Sequence, residues 1–177
     1  MGGRNRRFAW TLTWLLAPAL ALAESDPLLQ FFPTAADVPG LKVMGDARHC
    51  GGGEELTVLY DGGYQRYVQA GVISASQRFF RLGGGTVEMI LHQMKTEDAA
   101  AKFLSSLCQD IKSPVQDLPL KQAKFRLCIG AGQDSSYGYL AQGKLLAMAS
   151  FDRGDLKTPR TILRAVAERA AGNARLR

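Results

Sequence analysis

The chain has 177 residues, 46% of them hydrophobic and 21% charged, with 22 Lys and Arg against 16 Asp and Glu, the balance of one ordinary globular domain. That composition excludes a disordered, collagenous or coiled-coil chain. Three cysteines are too few to staple a coreless miniprotein.

The first segment runs from a basic start (Arg4, Arg6, Arg7) through the apolar stretch Phe8 to Leu22, interrupted by Pro18, to Ala21-Leu22-Ala23 before Glu24. That order is a secretory signal peptide, residues 1–23, cut after Ala23. The apolar stretch is short for a membrane span. Residues 24–177 are then a single α+β domain, periplasmic or secreted. Cleavage takes three arginines with it and halves the excess positive charge. No dense basic stripe interleaved with aromatics is left, so no nucleic-acid partner is expected.

After the signal, Asp26 to Phe32 reads as one helical turn ending at Pro33, and Pro39-Gly40 as a turn before a first short strand at Leu41 to Met44. Gly51-Gly52-Gly53 follows as a loop. Residues 54–70 pull two ways. Turn chemistry at Asp61-Gly62-Gly63 predicts a hairpin. Periodicity favours an amphipathic helix, because Leu56, Leu59, Tyr60, Tyr64, Tyr67 and Val68 recur at steps of three and four. The helix is the stronger reading, kinked or broken at Gly62-Gly63, where each glycine costs about 1 kcal/mol relative to alanine.

Val72 to Leu82 and Thr86 to Met94 form an antiparallel pair around Gly83-Gly84-Gly85, with Val87, Met89 and Leu91 on one face. Thr96 caps the next helix, Glu97 and Asp98 suit its positive end, and Ala99, Phe103, Leu107 and Ile111 make its apolar side up to Pro114. Lys124 to Ile129, Ser136 to Ala141 and Leu145 to Phe151 are strands, the last two joined at Gln142-Gly143-Lys144. Thr158-Pro159 opens a final helix as N-cap and first-turn proline, with Ile162, Leu163, Val166 and Ala170 buried and Gly172 closing it. The predicted architecture is α+β: an antiparallel sheet covered by helices, in two strand-strand-helix units.

The motif Tyr60-Asp61-Gly62-Gly63-Tyr64 with Tyr67 and Gly71, then Thr86-Val87-Glu88-Met89 and Thr96-Glu97-Asp98-Ala99-Ala100, resembles a bacterial family of exported domains of unknown function. In that family a Tyr helix carries Asn-Gly-Gly, and a Val-Glu strand and a Ser/Thr-x-Asp-Ala helix start follow. The likeness covers residues 40–150, with Asp61 where the family has Asn. It implies export and a helix at 54–70, and it supplies no catalytic residues.

Export places Cys50, Cys108 and Cys128 in oxidising surroundings. Cys108 with Cys128 is the favoured disulfide, since the end of a helix and a following strand can lie side by side. Cys50 remains, either a small loop residue, free or paired with one of the other two, or a reactive thiol. His49 and His92 are the two histidines. His92, opposite in parity to Val87, Met89 and Leu91, reads as a surface or half-buried strand residue. No close-spaced ligand pair supports a metal site, and no metal or other cofactor is expected. Gly130-Ala131-Gly132 precedes a strand where a dinucleotide fingerprint needs a helix.

The constellation Tyr60, Asp61, Gly62, Gly63, Tyr64 and Tyr67 is the candidate binding rim, because phenols beside an exposed acid and bare backbone offer area and a polar handle. The structural alternative is a stripe covering a sheet. Arg160, Arg164, Arg169, Arg175 and Arg177 read first as a solvated face. These features predict an exported, non-catalytic binding or accessory domain that docks to another envelope or secreted protein. The alternative is a hydrolase of the cell envelope, dependent on the Cys50 thiol or on the carboxylates of Asp61 and Glu54.

Overall fold

The computed structural model describes residues 26–120 and 124–173. The signal segment at 1–23, Arg175 and Arg177 lie outside the described residues. Seven strands form one antiparallel sheet: β1 (Lys42–Gly51), β2 (Val72–Leu82), β3 (Gly85–Met94), β4 (Gln116–Pro119), β5 (Lys124–Ala131), β6 (Ser136–Gln142) and β7 (Leu145–Phe151), in the order β1-β2-β3-β7-β6-β5-β4. The helices are α1 (Tyr64–Ala70), α2 (Glu97–Asp110) and α3 (Lys157–Ala171), with 3-10 turns at Leu29–Phe31 and Gly53–Val58. The α+β class and the two strand-strand-helix units are present, and β3 meets β7 where the units join. β4, an edge strand unmarked by any turn signal or periodicity, is an addition to the predicted elements.

The middle of the sheet is covered on both faces, so its central strand β7 reads as a nearly continuous apolar run. Val87, Met89 and Leu91 of β3 join one core with Leu140 of β6 and with Ile162, Leu163 and Val166 of α3. Leu28, Phe31 and Phe32 extend this core, and Arg169 fastens their segment with a 2.7 Å ion pair to Asp37 and a 3.0 Å bond to the Gln30 carbonyl. Arg169 is therefore a clamp, not part of a solvated face. On the other side Ile90 and Met94 join Leu56, Phe103, Leu104 and Leu107 under α2. Three layers result.

Local chemistry sets the ends of the long helices. Thr96 Oγ1 accepts from the Ala99 amide at 3.0 Å, as expected of the cap. The buried side of α2 centres on Ala100, Phe103, Leu104, Leu107 and Cys108, with Ala99 and Ile111 at its half-buried margins. At α3 the capping acceptor is Asp155, whose carboxylate takes the Lys157 amide at 2.9 Å and the Thr158 amide and hydroxyl at 3.2 and 2.6 Å. Thr158 had been the expected cap, but the acid three residues earlier reaches two free amides at once.

Residues 54–70 form neither a hairpin nor one helix. A 3-10 helix at Gly53–Val58 and the helix α1 are separated by Gly62 and Gly63, with φ of 83° and 69°. Left-handed backbone at two successive residues ends any right-handed helix, and glycine adopts it freely.

Cys108 and Cys128 form the expected disulfide, with Cα atoms 5.8 Å apart, pinning the last turn of α2 to β5.

Candidate functional site

The α2 side of the sheet carries rows of side chains set by strand register. One row is His92, Leu146 and Ala141 on β3, β7 and β6. The next is Ile90, Met148 and Tyr139, and the third is Glu88, Ser150 and Tyr137. Side chains two apart on a strand share a face, so the three rows form one surface. α2 and the 3-10 and α1 segments cover the first row. The second and third rows floor a cleft of about 160 Å³.

An aromatic wall stands at the covered row. Tyr60 and Tyr67 stack with ring centroids 3.8 Å apart, and Tyr67 lies 5.6 Å from the His92 ring. Phe103 of α2 meets Tyr67 edge-on at 5.4 Å. The hydroxyl of Tyr60 donates to Nε2 of His92, and Nδ1 of His92 faces the Leu146 carbonyl at 3.3 Å. That pairing fixes a neutral ring protonated on Nδ1.

Desolvation decides the protonation states. His92 is fully buried, which pulls its pKa down to about 4. Burial also pushes the phenols of Tyr60 and Tyr67 above the ordinary tyrosine value, and that of Tyr139 up to about 12. Near neutral pH all four groups are therefore uncharged. Burial raises the Cys50 thiol as well; Cys50 is 4% exposed and its sulfur lies 3.8 Å from the Ala75 carbonyl. A nucleophilic thiol needs the opposite shift and access.

The structure divides the predicted rim. Tyr60, Tyr64 and Tyr67 pack together against the α2-side core, whereas Asp61, Gly62 and Gly63 stand exposed at the break between the helical segments. Glu54 is also exposed. The expectation that His92 is a surface or half-buried residue is corrected: its parity was right, but α1 and α2 cover that parity too. Tyr137, Tyr139, Glu88 and Ser150 were missed as site residues. Their signal was strand alternation in β3, β6 and β7, readable only once the strand order is known.

Further polar contacts support the cleft floor. Gln77 Nε2 donates to Glu88 Oε1 at 2.5 Å, and the Ser150 hydroxyl lies 3.4 Å from Glu88 Oε2. Outside the cleft, His49, Ser76 and Asp26 also cluster: His49 Nδ1 is 3.2 Å from Asp26 and 2.9 Å from Ser76, whose hydroxyl donates to Asp26 at 2.6 Å. Acid and hydroxyl meet the same ring nitrogen, so this is a tie for the N-terminal segment and not a nucleophile–base relay. Among the described residues no group of three or more His, Cys, Asp or Glu is placed to hold a metal ion.

No protein-family model and no curated protein matches the chain. Among solved structures, the extracellular domain of PknH from Mycobacterium tuberculosis is similar in fold, with a TM-score of 0.52 and 8% identity over 81% of this chain and 94% of that one. No described helix is long and apolar enough to cross a membrane. By this likeness the chain shares its fold with that extracellular domain.

Proposed function

We propose that this protein is an exported, non-catalytic binding domain, periplasmic or secreted, that docks to another envelope or secreted protein through the cleft beside α2. The observation that carries the proposal is the cleft itself: a concave sheet face with a carboxylate, a hydroxyl and two tyrosines, next to the row that the Tyr60–Tyr67–His92 stack covers. Sites of this build are apolar surfaces with a few polar groups that set orientation. The motif likeness to exported bacterial domains and the disulfide, a feature of oxidising compartments, support the location. Cys50 is sealed, and His92 spends both ring nitrogens on protein partners. Asp61 and Glu54 are solvated acids, the ordinary state of surface carboxylates.

A photoreactive phenylalanine at Tyr137, in the cleft, and at Arg160, on the opposite face, tests the reading in the native envelope. One discrete heavier adduct from position 137 and none from 160 is the expected result. No adduct from 137 removes the protein-docking reading. A hydrolase activity that vanishes in Cys50→Ala or Asp61→Ala at unchanged stability would replace it with the enzymatic one.

A further inference from the structure

The polar inventory of the cleft is one-sided. Its lining holds one formal charge, the Glu88 carboxylate, and no lysine, arginine or histidine. The Arg66 guanidinium, on α1, is committed to Asp110 at 2.6 Å and to the Ser106 hydroxyl at 2.9 Å, and lies over the Phe103 ring. A carboxylate has about four acceptor sites. Gln77 and Ser150 occupy one on each oxygen and so orient Glu88 without neutralising it. Gln77, which supports Glu88 from β2, is 6% exposed, and its amide oxygen has no hydrogen-bond partner among the described residues.

Besides Ser150, the remaining lining is tyrosine, methionine, isoleucine and alanine. Tyr137 and Tyr139 offer aromatic surface, which attracts cations through the ring quadrupole, and Met148 and Ile90 offer apolar contact. An anion would face an unscreened carboxylate, and a neutral apolar group would leave that carboxylate desolvated and unpaired. The size is restrictive too, since about 160 Å³ is below the range of sites for drug-sized ligands. It suits a headgroup.

We infer that the cleft binds an alkylammonium group, with Glu88 as counter-charge and Tyr137 and Tyr139 as its aromatic flank. This inference rests on the cleft being the binding surface. The same chemistry has two sources, the side chain of a lysine on a partner protein or a free quaternary solute.

The test is a titration of the isotope-labelled chain, followed through the backbone amides of Tyr137, Tyr139, Met148 and Ser150. The probes are n-butylammonium and choline, their neutral counterparts 1-pentanol and 3,3-dimethylbutan-1-ol, and the anion butyrate. Saturable shifts with the cations, weaker by about tenfold or more with the neutral molecules, are expected. Glu88→Gln should weaken cation binding by about tenfold, while Tyr139→Phe, which keeps the ring, should stay within about threefold. Tighter binding of n-butylammonium assigns a partner's lysine, and tighter binding of choline a free solute. Equal binding of the neutral molecules, or an unchanged Glu88→Gln, overturns the inference. Shifts with pentanol or butyrate alone would leave the cleft a binding surface and remove its cation selectivity; silence from every probe would remove both. Should Glu88→Gln fail to fold, Tyr137→Leu takes its place, with the same loss expected and an unchanged affinity overturning the inference.

Discussion

Tyr60 joins two roles that its sequence spacing shows only in part. Its position in the stripe of Leu56, Tyr60, Tyr64 and Tyr67 predicts burial, and it packs half-buried against the α2-side core. Its hydroxyl partner, His92, is 32 residues away and was not legible, because strand parity gives a face but not what covers it. Tyr60→Phe keeps the ring and leaves Nε2 of His92 buried without a donor, which should cost about 1–3 kcal/mol in denaturant unfolding. A neutral effect would mean that water reaches the imidazole. His92 also gives stability a pH dependence. Its ordinary pKa of 6.5 falls to about 4 in the fold. As pH drops, the unfolded chain takes up the proton first, so the contribution is complete above about pH 6.5 and is lost toward pH 4, about 3 kcal/mol in all. Urea unfolding across this window should show that loss in the native chain and lack it in His92→Gln.

At the level of elements, the strands and long helices were legible because alternation, tight glycine turns and a capping threonine are local signals. The segment at 54–70 was legible by half. The aromatic stripe correctly marked the covered face, but a periodicity cannot tell one helix from two short ones in different settings, and the left-handed Gly62-Gly63 pair decides the matter. The Asp155 cap was overlooked because an acid three residues ahead of a Thr-Pro pair competes for the same amides. Packing between elements was silent in the sequence, as Gly138 shows. A Cβ there would lie 2.6 Å from Leu163 Cδ1 and 2.8 Å from Ile129 Cδ1, so the glycine is what lets α3 rest on β6. Gly138→Ala should destabilise by about 1–3 kcal/mol, measured by guanidinium unfolding. An unchanged midpoint would show that α3 sits farther from the sheet.

For the whole molecule, the two strand-strand-helix units predicted the class, but not that α2 and α3 take opposite faces or that β3 and β7 join the halves. Those follow from long-range pairing, which no local pattern encodes. The sheet order is also what turns Glu88, Ser150 and Tyr137 into neighbours across three strands. The Cys108–Cys128 bond ties the helix of the first unit to a strand of the second across a separation of 20 residues. Replacing both cysteines by alanine should lower stability by about 3 kcal/mol, seen as an earlier denaturant midpoint. No change would mean that packing alone docks α2.

In the proposed function the Tyr60–Tyr67–His92 stack is a structural wall beside the cleft, and the ring nitrogens of His92 are its probe. A nitrogen-detected NMR titration of His92 should find a neutral imidazole, protonated on Nδ1 at neutral pH and titrating only near pH 4. A pKa near the ordinary 6.5, or a proton on Nε2, would place water or a reacting group at that ring. The stack would then be an open site and no longer a wall.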